Sequence, residues 1–266
     1  MSLLLHPPAP RPRLLAALFF EAVLPALAEL WEARPEVHQG VSRPDWSLSL
    51  RTPWGDSGTF RFRGDRAHYQ NSDTEGTDIT LCFLSKRHVG RQLQNKWGGS
   101  PFPLRGMTRW RDIRVFARLG ERLDALLNGG ASDEFTLSAQ RLRAKLTMGI
   151  CLRGGCCLLR EEPYSMKKAE RIPEGYAEFV IGENTFRGWV GHRDGDFRTG
   201  YGDPPEESRV QIFFRDPEVA LDALENRLDL FAALPLGTVE INGYLPLGDA
   251  FGEVLERLPA YLQPKK

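Results

Sequence analysis

The stretch Val210-Gln-Ile-Phe-Phe-Arg-Asp-Pro-Glu-Val-Ala220 joins an apolar strand pattern to a helix start. The helix start lies at Asp216-Pro217, because aspartate is a good N-cap residue and proline suits the first helical turn. An apolar turn at Leu234-Pro-Leu-Gly237, the strand Thr238-Val-Glu-Ile-Asn-Gly243 and a closing helix follow. The unit at 210–258 holds no cluster of nucleophiles, bases or phosphate-binding glycines. It therefore predicts a container or a scaffold before it predicts a catalyst.

A weaker copy of this unit lies upstream at residues 79–127. Its helix start lacks the Asp-Pro pair and offers Ser85 as the N-cap residue instead. Identical residues are few, but the apolar positions recur, which is what one fold used twice would produce. The pairs that fall in register without gaps are Ile79/Val210, Leu81/Ile212, Phe83/Phe214, Leu93/Leu224, Asn95/Asn226, Gly106/Gly237, Trp110/Ile241, Phe116/Leu247, Leu123/Val254 and Leu127/Leu258.

Both halves also carry strand signals in the same order ahead of this unit. Each has two apolar strands and a turn that leads into a third strand. The first set lies at residues 46–50, 59–63 and 67–69, and the second at 177–181, 185–190 and near Phe197. Asp194-Gly195 is a typical hairpin turn sequence between the last two strands.

The predicted organisation is a flexible leader at residues 1–13, one domain at 14–130 and a second domain at 131–262. The polar run Asn128-Gly-Gly-Ala-Ser-Asp133 is typical of a linker or a helix-to-helix turn. An amphipathic helix is predicted after it from apolar residues at helical spacing, namely Phe135, Ala139, Leu142 and Leu146. Residues 151–173 have no upstream counterpart.

Residues 14–33 predict a helix with a kink at Pro25. Glu21, Glu29 and Glu32 form one narrow polar stripe, and the rest of its surface is apolar. Two interpretations stay open: a helix buried between two layers, or one that lines a cavity, a dimer seam or a membrane contact. A signal peptide is a weaker alternative, because Glu21 and Pro25 interrupt the apolar core. No stretch approaches the roughly 20 apolar residues of a membrane span, so no transmembrane segment is expected.

The charge balance argues against a nucleic-acid partner, since 35 lysines and arginines face 35 aspartates and glutamates. The basic stretch Arg109-Trp-Arg111, which Asp112 interrupts, is interpreted as a solvated strand-to-helix edge. Cysteines Cys82, Cys151, Cys156 and Cys157 lack zinc-site spacing, so neither a metal nor a cofactor is expected. Reduced thiols are typical of a cytoplasmic protein.

Residues 209–258 resemble the C-terminal half of the sterol carrier protein type two family. The residues that carry the resemblance are the strand and helix of 210–226 and the motif Gly237-Thr-Val-Glu-Ile-Asn-Gly243 before a leucine-rich helix. The resemblance implies an α+β fold of two tandem domains, each a mostly antiparallel curved sheet with helices packed on one face. It also implies a fatty-acyl, sterol or isoprenoid-like molecule held between sheet and helices.

The expected cavity residues follow from the period-two rule for strands and from the closing helix. They are Ile79, Leu81, Phe83, Val210, Ile212, Phe214, Val239, Ile241, Phe251 and Leu255. The same residues could equally fill a dry core, because a packed core and an apolar cavity have the same sequence pattern.

The expected function is non-enzymatic binding or transfer of a hydrophobic small molecule, with transient membrane contact left open. The alternative is a homodimer or partner-docking module without a ligand. A weaker alternative is a hydrolase or transferase at the cluster His192-Arg-Asp194-Gly-Asp196, which combines a base with two carboxylates. That cluster also has the composition of a polar hairpin tip, which is the preferred interpretation.

Overall fold

The computed structural model describes residues 12–94, 96, 98–128 and 136–262. Most of the predicted leader and residues 129–133 of the predicted linker lie outside these ranges, as do Asn95 of the predicted register and Phe135 of the predicted amphipathic helix. Within them, ten strands form two five-stranded sheets.

The first sheet has the strand order β3-β2-β1-β4-β5. Its central pair, β1 and β4, is parallel, and the other neighbours are antiparallel. The strands are β1 Asp45–Arg51, β2 Ser57–Arg63, β3 Arg66–Gln70, β4 Ile79–Cys82 and β5 Phe102–Arg105. Period-two alternation predicted the first four strands close to these positions.

The second sheet repeats this topology, with the order β10-β9-β6-β7-β8 and a parallel central pair of β6 and β9. Its strands are β6 Gly175–Ile181, β7 Phe186–Arg193, β8 Asp196–Tyr201, β9 Val210–Phe214 and β10 Val239–Gly243. The hairpin predicted at Asp194-Gly195 joins β7 to β8, and both turn residues have positive φ. The predicted α+β class with two sheet-and-helix units is confirmed.

The helices fill the segments between and around the strands. They are α1 Pro12–Ala17, α2 Leu24–Ala33, α3 Lys86–Leu93, α4 Trp110–Asn128, α5 Leu137–Glu161, α6 Pro163–Ala169, α7 Pro217–Leu224, α8 Leu230–Ala233, α9 Leu245–Leu255 and α10 Pro259–Leu262. The predicted N-caps are present: the Ser85 hydroxyl accepts a hydrogen bond from the His88 amide at 3.1 Å, and Asp216 accepts one from the Val219 amide at 2.9 Å.

The ungapped register between the halves holds only as far as α3 and α7. Beyond them, Gly106 corresponds to Gly243 rather than to Gly237. Gly106 follows the edge strand β5, Gly243 ends the edge strand β10, and both have positive φ. A side chain at Gly106 would collide with Asp78 and Ile79, and one at Gly243 would collide with Arg209 and Val210, in each case at the start of the neighbouring strand. The second half therefore has six additional residues between its helix and its edge strand.

The shift corrects several predicted pairs. Trp110 was matched with Ile241 in a strand, but it begins α4. The buried residues of the closing helices recur with equal spacing as Phe116, Leu119 and Leu123 and as Phe251, Val254 and Leu258. The predicted pairs Phe116/Leu247, Leu123/Val254 and Leu127/Leu258 are therefore wrong by a few residues.

Helices α1 and α2 are joined by a π-helical segment, Leu18–Val23, into one helix from Pro12 to Ala33. The segment forms where Pro25 interrupts the α-helical pattern. The Leu24 amide bonds to Phe19 five residues back, and Pro25 has no N–H for the next carbonyl, that of Phe20. The Tyr69 hydroxyl donates to that carbonyl at 2.6 Å, so the irregular turn leaves this acceptor satisfied.

The Pro12–Ala33 helix is long and apolar enough to cross a bilayer by length and composition, but most of it is buried inside the protein. It packs against α5 in antiparallel fashion, as the ion pairs Arg13–Glu161, Glu21–Arg160 and Glu29–Arg153 show. This favours the interpretation of a helix buried between two layers.

The two helices exchange core residues between the sheets. Leu14, Leu15 and Leu18 join the core of the second sheet, although they precede the first. Leu146 and Ile150 of α5 join the core of the first sheet. The packing of the two cores therefore crosses the predicted domain boundary near residue 130.

Glu162 holds the end of α5 to the C-terminal helices. It is 1% exposed and accepts hydrogen bonds from Arg257, with the shorter Nε contact at 2.9 Å, from Ser165 and from the Tyr261 hydroxyl. Burial by itself would raise the pKa of Glu162, but the hydrogen bonds from Arg257, Ser165 and Tyr261 together lower it below its usual value.

Glu162→Gln is expected to lower the free energy of unfolding by about 3 kcal/mol, because it leaves the Arg257 guanidinium without its buried partner. Since the folded-state pKa is lowered, the ionised carboxylate stabilises the fold above its unfolded-state pKa. This contribution is lost as pH falls through the folded-state value. Urea unfolding near pH 7 and near pH 4 should show the difference between the two proteins shrinking in acid.

Glu161→Gln is the matched control, because Glu161 pairs with an Arg13 side chain that is largely exposed. It should cost less than about 1 kcal/mol. Equal losses in the two variants would contradict a specific role for Glu162.

Candidate ligand site

The ten predicted cavity residues lie in the two sheet-and-helix cores. Ile79, Leu81 and Phe83 are buried in the first core. Val210, Phe214, Val239 and Phe251 are buried in the second core, and Ile212, Ile241 and Leu255 pack against it while partly exposed. The structure thus places the predicted set where sheet meets helices, and it packs seven of the ten closely.

In the first core, aromatic side chains of the Pro12–Ala33 helix cover the predicted cavity residues. The ring of Phe83 meets those of Phe19 and Phe20 edge to face, with centroids 5.4 and 6.5 Å apart. Both partners come from the Pro12–Ala33 helix, which therefore fills the space beside β4. This region is a packed aromatic cluster.

The second core is less completely covered at the corresponding place. Ile212 occupies the position of Leu81, but Leu81 is 4% exposed whereas Ile212 is partly exposed. Ile212 is paired with Ile241 across β9 and β10, and Gly248 of α9 lies over β9 close to Ile212. We call the half-buried apolar residues of this region the β9–β10 margin: Ile212, Val219, Ala223, Leu224, Leu228 and Ile241.

The six additional residues of the second half lie next to this margin, in the segment between α7 and β10. Leu234 and Leu236 in its turn are 43% and 73% exposed. The turn is held by the amide of Gly237 bonding to Leu234 and by Thr238 bonding to Ala233. Apolar side chains thus continue from the half-buried margin out to the surface.

Leu255 lies on another side of the core. It faces Gly155 of α5, as Leu258 faces Gly154, and a side chain at either glycine would collide with it. The predicted Leu255 therefore serves the contact between α9 and α5 rather than the β9–β10 margin.

Two surface cavities lie elsewhere, and none of the predicted residues lines them. A groove of about 740 Å³ runs along the β6–β7 turn, with Val180, Phe213 and Phe186 beside Lys145 and Arg187. A polar cavity of about 580 Å³ lies beside the π-helical segment, with Glu21, Asp56, Asp73 and Lys86 in its walls. Turn residues and scattered charges form both, so no sequence pattern marked them.

The cluster at His192 does not assemble a catalytic group. His192 is largely buried, its Nδ1 lies 2.8 Å from the Ile172 carbonyl oxygen, and its ring stacks on Phe197 with centroids 4.4 Å apart. Asp196 instead pairs with Arg198 at 2.8 Å. The cluster is a hairpin tip with a core-facing histidine.

The basic stretch at Arg109 is only partly the solvated edge that was predicted. Arg109 is mostly buried and pairs with Asp78 at 2.7 Å and with the fully buried Asp112 at 3.1 Å. Asp112 also accepts hydrogen bonds from the amide and the hydroxyl of Ser42. Arg111 is exposed as expected.

The described residues contain no group of three or more His, Cys, Asp or Glu side chains that could hold a metal ion. All four cysteines are free and buried. Burial raises the pKa of Cys151, Cys156 and Cys157 to about 12 in each case. Such thiols are poor nucleophiles and poor metal ligands.

Comparison with known proteins found no matching family model and no matching curated protein. Among solved structures, the sterol carrier protein domain 2 of Helicoverpa armigera is similar at 16% identity and a TM-score of 0.34, over 42% of this chain and 87% of that one. Sterol carrier protein 2 from Yarrowia lipolytica in its apo form is similar at 16% identity and a TM-score of 0.32, over 38% and 91%.

A sec-alkylsulfatase from a Pseudomonas species also matches, at 17% identity and a TM-score of 0.28. That match covers 55% of this chain and 28% of the sulfatase. These likenesses are partial, and the function has to be argued from this chain's own residues.

The buried thiols of α5 should react slowly in the folded protein. A pKa near 12 leaves roughly one thiol in ten thousand ionised near pH 8, and burial blocks access as well. Titration with a chromogenic disulfide should therefore be slow in buffer and fast for all four cysteines in denaturant. Glu207→Cys supplies an exposed thiol as control, and native cysteines that react as fast as this one would contradict the buried arrangement.

Proposed function

We propose that this protein binds a hydrophobic small molecule without catalysing a reaction, and that its second domain holds the molecule at the β9–β10 margin. The ligand class is a lipid, fatty-acyl, sterol or isoprenoid-like molecule. One observation carries the proposal: Ile212 and Ile241 face the helices but stay partly exposed, whereas Leu81 at the equivalent place is closed off.

The energetics of such binding need no fixed polar partner. Transfer of apolar groups from water gains about 0.8 kcal/mol per CH₂, so a sixteen-carbon chain could gain on the order of 10 kcal/mol. The margin offers only part of that surface, because Val210, Val239 and Phe251 beneath it are packed. Full occupancy therefore requires α9 or the segment between α7 and β10 to move away from the sheet.

The second domain is the better candidate for such movement. Its cover beside β10 consists of short helices and the exposed Leu234–Leu236 turn, whereas the first core is closed by the long Pro12–Ala33 helix. Short elements with few buried residues open at lower free-energy cost than long buried ones. The domain limits 14–130 and 131–262 and a cytoplasmic location stay predictions within this proposal.

A second candidate function is partner docking or homodimerisation without a ligand. Leu236 and Leu245, which flank β10, are 73% and 57% exposed, and β10 is an edge strand. Exposed apolar residues beside an unpaired strand edge are typical of protein contacts. No observation favours a hydrolase or transferase, since His192 makes a hydrogen bond with the Ile172 carbonyl and stacks on Phe197.

The ligand proposal is tested by mass spectrometry of organic extracts of the purified protein and by titration with a fluorescent fatty acid. Ile241→Trp should fill the margin and weaken binding of the probe at least about ten-fold. Phe213→Trp is the control, because Phe213 lies on the opposite face of β9 and should leave binding unchanged. Thermal unfolding of both variants confirms that they are folded.

Three outcomes would contradict the proposal. Wild-type protein without co-purified lipid and without probe binding would exclude a carrier role. Loss of binding in Phe213→Trp but not in Ile241→Trp would indicate that the ligand binds in the groove at the β6–β7 turn. A dimer that Leu236→Ser or Leu245→Ser dissociates, with no probe binding, would favour the docking alternative.

A further inference from the structure

The edge of the first sheet carries a group of exposed apolar side chains. Phe102 and Leu104 lie on the edge strand β5, Met107 follows it, and Trp110 begins α4. Each is between 51% and 69% exposed. We call these four residues the β5 edge patch. Large apolar side chains grouped at one edge are a contact surface rather than the scattered exposure normal for a soluble domain.

The chain around this patch is strongly basic although the protein has no net charge. Residues 79–111 contain seven lysines and arginines and no aspartate or glutamate. Arg109 forms ion pairs with Asp78 and Asp112. Arg105, Arg111 and Arg114 are exposed beside the patch. The guanidinium of Arg114 lies 6.0 Å from the centre of the Trp110 ring, so cationic and apolar groups are in contact.

Helix α3 adds to the same basic surface. His88 links this helix to the strand, because its Nε2 lies 2.9 Å from the Ser100 carbonyl oxygen and its ring meets that of Phe102. The helix exposes Arg87 and Arg91 and contains no acidic residue. The patch is therefore bordered by cations from both β5 and α3.

The strand itself is poorly suited to pairing with another strand. Pro101 and Pro103 flank Phe102, and proline has no N–H to donate to a ladder. The pairing of β5 with β4 also shifts register between Thr80 and Leu81. A partner would thus engage the side chains of the patch rather than its backbone.

The corresponding edge of the second sheet shows that this charge is not a general property of the fold. Residues 210–245 contain six acidic and only two basic residues. Tyr244 and Leu245 are exposed there at 46% and 57%, so apolar exposure is shared but the charge is reversed. One cation, Arg209, does lie 5.6 Å from the centre of the Tyr244 ring, but the segment at the second edge is acidic overall whereas the segment at the first edge is basic.

We propose that the β5 edge patch docks on an anionic lipid bilayer. Trp110, Phe102, Leu104 and Met107 enter the interfacial region, where tryptophan is favoured and aliphatic side chains gain free energy. Arg105, Arg111 and Arg114 contact lipid phosphates, each worth about 1 kcal/mol near such a surface. The inference does not rest on the proposed ligand site, since the patch belongs to the other domain.

Co-sedimentation of the 266-residue protein with vesicles tests this docking. The protein should bind vesicles of phosphatidylcholine mixed with phosphatidylglycerol and bind phosphatidylcholine alone weakly. Arg111→Gln and Arg114→Gln should each weaken binding about five-fold, and Met107→Ser with Trp110→Ser should abolish it. Tyr244→Ser with Leu245→Ser, at the acidic edge, should leave binding unchanged. All six side chains are exposed, so the variants should fold, which circular dichroism checks.

Two results would overturn the proposal. The first is wild-type protein that shows no preference for the anionic vesicles. The second is self-association of the protein without lipid, measured by sedimentation velocity, that is lost both in Met107→Ser with Trp110→Ser and in Tyr244→Ser with Leu245→Ser. That result would assign the patch to a contact between copies of this chain, with the basic edge of one copy on the acidic edge of another.

Discussion

The antiparallel contact between the Pro12–Ala33 helix and α5 is the constraint on which the rest of the structure depends. Each helix completes the core of the other half, through Leu14 and Leu18 in one direction and Leu146 and Ile150 in the other. Carboxylates of the first helix meet guanidinium groups of α5 along the seam, as Glu29 and Arg153 do beside Tyr201. The charges of Glu29 and Arg153 are mostly covered, so removal of either partner would leave the other as a poorly solvated charge in the seam.

The glycines of α5 show how closely its neighbours approach. Glycine lowers helix propensity by about 1 kcal/mol relative to alanine, yet α5 contains Gly149, Gly154 and Gly155. A side chain at Gly149 would collide with the Tyr201 hydroxyl, and one at Gly154 would collide with Leu258. Gly154 and Gly155 lie in the part of α5 that has no upstream counterpart in sequence, and this part thus serves contacts with the C-terminal helices.

Sequence patterns predicted the strands with clear alternation, the Asp194-Gly195 hairpin and the caps at Ser85 and Asp216, because these depend on local chemistry. They missed β5, since Pro101 and Pro103 make it resemble a loop and its residues are exposed. The register beyond α3 was wrong because an ungapped comparison cannot detect six additional residues. For the candidate site, the residues at the sheet-and-helix interface were predicted. The difference in exposure between Ile212 and Leu81 was not, because it depends on helices that are distant in sequence.

The exchange of core residues has a consequence for the order in which the chain can fold during synthesis. All strands of the first sheet are complete by Arg105, but Leu146 and Ile150, which finish its core, are translated later. Leu14 and Leu18 gain their buried contacts later still, once the second sheet has been translated. The apolar Pro12–Ala33 helix, which is translated before both sheets, therefore stays partly uncovered until α5 has emerged, and the nascent chain is prone to aggregation during that interval.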